Sequence, residues 1–223
     1  MLRSIAIIPD GNRRYCKKKR ISLEEGYKKS IDKIFRIVKW CKEMKIKSLI
    51  IWGFSTENWK RNKLEREILF KLFEEKAKQV LDDERIDKEK IKIRILGETN
   101  KFSKRLRDLF ERIEQKTKKY GRFNLNILLS YGGRREIVEA VNKIISKGRK
   151  KITEKEFKKY LWVQENPDLI IRTGGELRLS GFIPFQSTYS ELFFTRKYFP
   201  EFTKTDFEKV IENYKKRQRR FGR

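Results

Sequence analysis

Six short apolar runs, at 4–8, 48–54, 91–96, 123–129, 169–172 and 192–195, punctuate the chain. Most are continuously apolar rather than alternating, which is how strands read when both faces are buried, as in a parallel sheet. Stretches of helical periodicity lie between them. Ile31, Ile34, Phe35 and Val38 recur at helical spacing, as do Leu64, Ile68, Leu69, Leu72, Phe73, Ala77, Val80 and Leu81. Phe102, Leu106, Leu109, Phe110 and Ile113 form a third stripe, and Ile137, Val138, Val141, Ile144 and Ile145 a fourth. Residues 207–214 read as a last helix, and the polar stretch 147–159 as a surface loop with a short helix. Strands alternating with helices predict an α/β layer fold: one domain over 1–223, with a mostly parallel central sheet of about six strands covered by helices. No Gly-x-Gly-x-x-Gly is present, so a Rossmann dinucleotide-binding fold is not expected.

Composition narrows the chemistry. The chain has no His, which excludes imidazole acid/base catalysis, Ser-His triads and His-based metal sites. Two Cys make neither a disulfide framework nor a metal site. A formal charge of +27 favours nucleic acid, anionic lipid or phosphorylated substrates without choosing among them. Much of the excess is Lys in Lys/Glu-rich helical stretches, a surface that also suits a hot environment. Neither a signal peptide nor a membrane-spanning run is apparent, so an intracellular protein with at most peripheral membrane contact is expected.

Four segments run from the strand-like stretches into Gly, Ser, Asn, Asp or Arg. Asp10-Gly11-Asn12-Arg13-Arg14 offers a carboxylate, a glycine that admits phosphate to the backbone, and forked cations. Taken alone it reads better as an Asp-Gly turn beside solvated arginines, because Asp-Gly is a common turn pair. Ser55-Thr56-Glu57-Asn58-Trp59-Lys60-Arg61 reads locally as a helix cap. Tyr131-Gly132-Gly133-Arg134 is either an anion-binding strand-helix turn or a tightly packed corner, and lacks P-loop spacing. Arg172, Arg178 and Ser180 surround Gly174-Gly175 and make a good diphosphate grip. Asp82-Asp83-Glu84 imitates an aspartate-rich metal motif, but stands alone on a charged helix end and reads as solvated surface.

Together these segments resemble the cis-prenyltransferases, the family of undecaprenyl and dehydrodolichyl diphosphate synthases, over nearly the whole chain and in the same order. The resemblance implies a long-chain cis-polyprenyl diphosphate synthase. It would condense isopentenyl diphosphate repeatedly onto an allylic diphosphate starter, farnesyl or geranylgeranyl, with Mg²⁺. The product is the precursor of a lipid carrier for glycosylation or cell-envelope synthesis. Carried over residue by residue, Asp10 and Asn58 are catalytic, Asp10 holding Mg²⁺ and Asn58 assisting proton removal. Gly11, Asn12, Arg13, Arg14, Tyr15, Tyr27, Ser55, Thr56, Glu57, Trp59 and Arg61 contact substrate. Arg172, Arg178 and Ser180 hold isopentenyl diphosphate, Leu179 beside them contacts substrate, and Glu191 is a second metal contact. Arg220 and Gly222 belong to a C-terminal Arg-x-Gly tail. The resemblance also implies a homodimer in the cytoplasm, touching the inner face of the membrane to release product, with no nucleic-acid partner.

Three positions depart from the family pattern. Tyr27 stands where many members have His, Leu23 where bacterial members often have Arg (Arg20 being the nearby substitute), and Ser4 in place of another His. The Asn12-Arg13-Arg14-Tyr15 form is nearer to archaeal and eukaryotic members. Two other classes stay open: a silent accessory subunit, opposed by the presence of Asp10, Asn58 and Glu191, and a nucleic-acid binder, for which the net charge is the whole case.

Overall fold

The computed structural model describes residues 2–217. Its centre is a six-stranded sheet of β1 (Ser4–Ile8), β2 (Ser48–Ser55), β3 (Ile91–Leu96), β4 (Phe123–Tyr131), β5 (Leu169–Arg172) and β6 (Glu191–Phe194). Every adjacent pair is parallel, in the order β3-β4-β2-β1-β5-β6. Each strand falls on an apolar run. Central β1 and β5 are buried along their whole length, as unbroken apolar sequence requires.

Helices α1 (Asn12–Lys19), α2 (Leu23–Glu43), α3 (Lys63–Asp82), α4 (Glu84–Lys88), α5 (Lys104–Thr117), α6 (Gly133–Ser146), α7 (Glu154–Lys158) and α8 (Lys204–Lys216) connect and cover the strands. Local chemistry starts them. Ser22, Asn62 and Ser103 accept backbone N–H bonds at the heads of α2, α3 and α5, and Thr203 with Asp206 closes a capping box on α8. Asp83, in the aspartate-rich decoy, caps α4 and pairs with Arg85.

The two-residue period of the strands divides the core. Ile5, Ile7, Leu49, Ile51, Ile93 and Leu125 meet residues of α2, α3, α5 and α8 on one face. Ala6, Ile8, Ile50, Leu128 and Ile170 meet Val163, Phe182 and Ile183 on the other.

Topology places the site. From β1 the chain crosses towards β2, whereas from β5 it crosses the other way towards β6. The segments leaving the carboxyl ends of these two neighbours therefore diverge and open a crevice, where α/β sheets hold ligands. Those segments begin at Pro9 and Thr173.

Candidate active site

Asp10 and Arg172 meet in that crevice. Arg172 ends β5 with 5% exposure. It donates to Asp10 Oδ2 at 2.9 Å, to Ser180 Oγ at 2.9 Å and to the Arg178 carbonyl. So buried a guanidinium needs such partners. The Asp10 Oδ1 atom accepts from the Gly11 N–H at 2.6 Å and faces Arg14 at 3.4 Å. Thr173, fully buried, clamps the turn by accepting from the Asp10 N–H and donating to its carbonyl. Gly11 is required here: its φ is +92°, and a Cβ would lie 2.5 Å from the Tyr198 ring.

A second arc comes from β2 and α2. A register shift around Gly53 bulges β2 against β4 just before Ser55, which lines the cavity. Asn58 Oδ1 accepts the Ser55 N–H at 3.0 Å, which pins its side chain at the cavity wall. Tyr27 donates to Glu65 at 2.6 Å, and Arg61 donates to both the Tyr27 hydroxyl and Glu65 at 3.0 Å. Burial pushes the Tyr27 phenol above its ordinary range, with Arg61 opposing, so it is a neutral donor. Glu65, 2% exposed, was missed in the sequence because it reads as the third residue of a capped helix. Asn12 likewise joins two elements, donating to the Pro9 carbonyl and accepting from Ser30 on α2.

Between the arcs opens a cavity of about 450 Å³. Asp10, Asn12, Asn58, Arg61, Arg172 and Ser180 form its polar end. The apolar part runs between α2, α3 and the sheet, past Ile31, Phe35, Leu69, Phe73 and Ala77 to Ile93, Phe110 and Ile113. Residues of three sequence stripes thus line the cavity while also belonging to, or packing against, the core on this face, and Val38 packs into the core alone.

The other expected site residues divide between the cavity wall and its surroundings. Tyr15 is buried at 8% exposure on the inner side of α1 and is not in the cavity wall. Trp59 donates to Ser130 at 2.8 Å and packs on Phe54, Phe70 and Phe102 with centroids 5.3–5.4 Å away, so it supports the wall from behind. Arg13, Arg14 and Arg178 are exposed at the rim, where Glu176 binds the last two. Ser55 and Glu57 line the cavity, and Thr56 packs on Gly132. Leu179 packs on the far face of the sheet.

Glu191 does not join Asp10 within one chain. It opens β6 in register with Leu169, three residues or about 10 Å of strand below Arg172, and it pairs with Arg217. Arg220 and Gly222 lie outside the described residues. Gly132-Gly133 resolves as a packed corner. A Cβ on Gly133 would sit 2.1 Å from Pro184 and 2.4 Å from the Gly181 carbonyl, which already takes the Gly133 N–H. Beneath it, buried Glu136 accepts from Tyr131, Gln186 and the Val163 N–H. Burial raises the Glu136 pKa, against those donors.

Comparison with known proteins places the chain in a family. Residues 8–222 match the family model of undecaprenyl diphosphate synthase. The chain is 45% identical to the tritrans,polycis-undecaprenyl-diphosphate synthase (geranylgeranyl-diphosphate specific) of Thermococcus kodakarensis, covering 98% of this chain and 86% of that protein. It is 44% identical to the isoprenyl transferase of Thermotoga maritima, covering 98% and 95%. Lavandulyl diphosphate synthase from Lavandula x intermedia, solved with dimethylallyl diphosphate, superposes with a TM-score of 0.94 at 30% identity, covering 100% and 98%.

Proposed function

Because the chain belongs to the undecaprenyl diphosphate synthase family, whose named relatives are prenyl and isoprenyl transferases, we propose that it extends an allylic diphosphate with isopentenyl diphosphate, building a long cis-polyprenyl chain. One observation carries this reading: a buried arginine and a carboxylate share the polar mouth of a cavity that turns apolar within the same wall. The cationic mouth suits diphosphate groups, and the apolar remainder suits a hydrocarbon tail.

Geranylgeranyl diphosphate is the proposed starter, on the strength of the specificity carried in the Thermococcus relative's name. Arg172 and Ser180 anchor isopentenyl diphosphate, with Arg178 at the rim. Arg61 and Asn12 face the allylic diphosphate. The C1–O bond of the allylic substrate breaks as C4 of the isopentenyl double bond attacks C1, and the charge left on isopentenyl C3 is quenched by loss of a proton from its C2, which forms the new double bond. Asn58, an amide too weak to be a base, orients that proton towards a diphosphate oxygen. The cations at the mouth stabilise the departing anion.

Mg²⁺ fits this donor set in one way. Among the described residues no group of three or more acidic or thiol ligands occurs, so an all-protein cage is excluded. A single carboxylate completed by substrate phosphates and water is normal for this ion. Asp10 is that carboxylate, and the ion would neutralise diphosphate charge there. Glu191, turned away, is not proposed as its partner in the same chain.

A homodimer is proposed from two uncovered surfaces: Val138, Val141 and Ile145 form an exposed stripe on α6, and β6 ends the sheet. No helix among the described residues is long and apolar enough to cross a membrane, so contact for product release is proposed as peripheral.

The test is incubation with Mg²⁺, labelled isopentenyl diphosphate and either geranylgeranyl or farnesyl diphosphate, beside Asp10→Ala. Metal-dependent polyprenyl product, made faster from geranylgeranyl diphosphate and reduced by about 10³-fold or more in the variant, is expected. No product from either starter overturns the reading.

A further inference from the structure

Lys76 breaks the apolar stripe of α3, one turn after Phe73 and one before Val80, yet it lines the cavity with both. Its stem lies on the cavity wall. Its ammonium bridges to Asp32 on α2 and stands 5.4 Å from the centre of the Phe35 ring. The pair straddles the surface: 23% of the Lys76 side chain and 41% of Asp32 remain exposed. Outside it runs a groove that shares Asp32, Phe35, Lys76 and Val80 with the pair and the cavity and continues over Ile86 and Ile91. A smaller hollow between α2 and α3 also reaches Lys76 and Asp32. Lys76, Asp32 and Phe35 are therefore the partition between the inner cavity and this groove.

We propose that the Lys76–Asp32 pair is a side gate that limits product length by closing the path of the hydrocarbon tail between α2 and α3. The proposal rests on the reading that the cavity holds a growing prenyl chain. Up to the gate, each methylene entering the cavity strengthens binding about fourfold, because apolar surface leaves water. At the gate the tail meets an ammonium and a carboxylate, whose desolvation opposes further entry. The gain per unit stops there, and release overtakes elongation. Beyond the pair, the groove has an apolar floor at Val38, Val80, Ile86 and Ile91 beneath charged side chains. A tail admitted past Lys76 would find cover there.

Two measurements test the gate. In the first, product lengths are compared for wild type, Lys76→Ala, Asp32→Ala and Lys78→Ala. Lys78 is a neighbour on α3 that pairs with Glu74. Lys76→Ala is expected to shift the distribution longer by at least one five-carbon unit, Asp32→Ala to shift it less, and Lys78→Ala to match wild type. Unchanged or shorter products from Lys76→Ala overturn the gate. In the second, n-alkyl phosphates of increasing length are titrated by intrinsic tryptophan fluorescence. Wild-type affinity should rise about fourfold per methylene and then level, while Lys76→Ala should continue to rise beyond that length. Parallel curves overturn the gate. Because this titration needs no turnover, it decides the gate even if wild type makes no polyprenyl product, an outcome that would overturn only the parent reading.

Discussion

Removing Glu65 tests whether the second arc of the site is held as described. This carboxylate is 2% exposed and accepts from Tyr27 at 2.6 Å and Arg61 at 3.0 Å, with Arg13 at 3.9 Å. Breaking a buried pair by deleting one partner costs about 3–5 kcal/mol. Arg61 keeps 24% of its side chain in solvent, which places Glu65→Ala near the lower end, about 3 kcal/mol. Glu65→Gln keeps an acceptor for Tyr27 and loses the charge, so about half that is expected. Tyr27→Phe should cost about 2 kcal/mol, since its hydroxyl donates to a charged acceptor. In the double-mutant cycle, Tyr27 and Glu65 should couple by about 1.5–2 kcal/mol, the worth of a hydrogen bond to a charged group. Urea denaturation at one fixed protein concentration measures all four, with equal m-values as the check on the denatured state. A cost below about 1 kcal/mol for Glu65→Ala, the same in wild-type and Tyr27→Phe backgrounds, would refute the reasoning.

Other consequences follow from single atoms. Gly133→Ala forces a Cβ to within 2.1 Å of Pro184, so a loss of about 1–3 kcal/mol is expected, with a Tm several degrees lower by calorimetry. Lys33 donates to the Phe202 carbonyl, and burial first, then Arg36, lowers its pKa to about 8. With the folded value depressed, the unfolded chain holds the extra proton between pH about 8 and the ordinary lysine value, so Lys33 adds stability as pH rises through that window and withholds it below. Lys33→Met should therefore be relatively more stable at pH 7 than at pH 10; urea midpoints at the two values measure this, and an equal difference at both refutes it.

All six strands lie within about two residues of the apolar runs that announce them. That the segments after β1 and β5 leave strand ends where a ligand site could form was legible too, because Asp10, Gly11, Arg172 and Ser180 follow apolar runs whose parallel pattern implies it. The Gly132-Gly133 segment was ambiguous in the sequence and became a packed corner once Pro184 and Gly181 were placed against it. Tyr15 and Trp59, carried over as substrate contacts, turned out to face inward. A residue's neighbours along the chain do not say which side of a helix or turn meets the ligand.

What the sequence determined by itself is local or periodic: strand positions, helix caps, the exclusion of imidazole from any proton chemistry, and the order of the site segments. What the tertiary structure decided is pairing across the chain. It buried Glu65 against Tyr27, 38 residues away, made Arg172 reach Asp10 across 162, and set Lys76 against Asp32 at the cavity wall. It also separated Glu191 from Asp10 through strand register. Periodicity specifies which face of an element is apolar, but only packing between elements decides whether that face closes a core or lines a space, and which buried charge finds which partner.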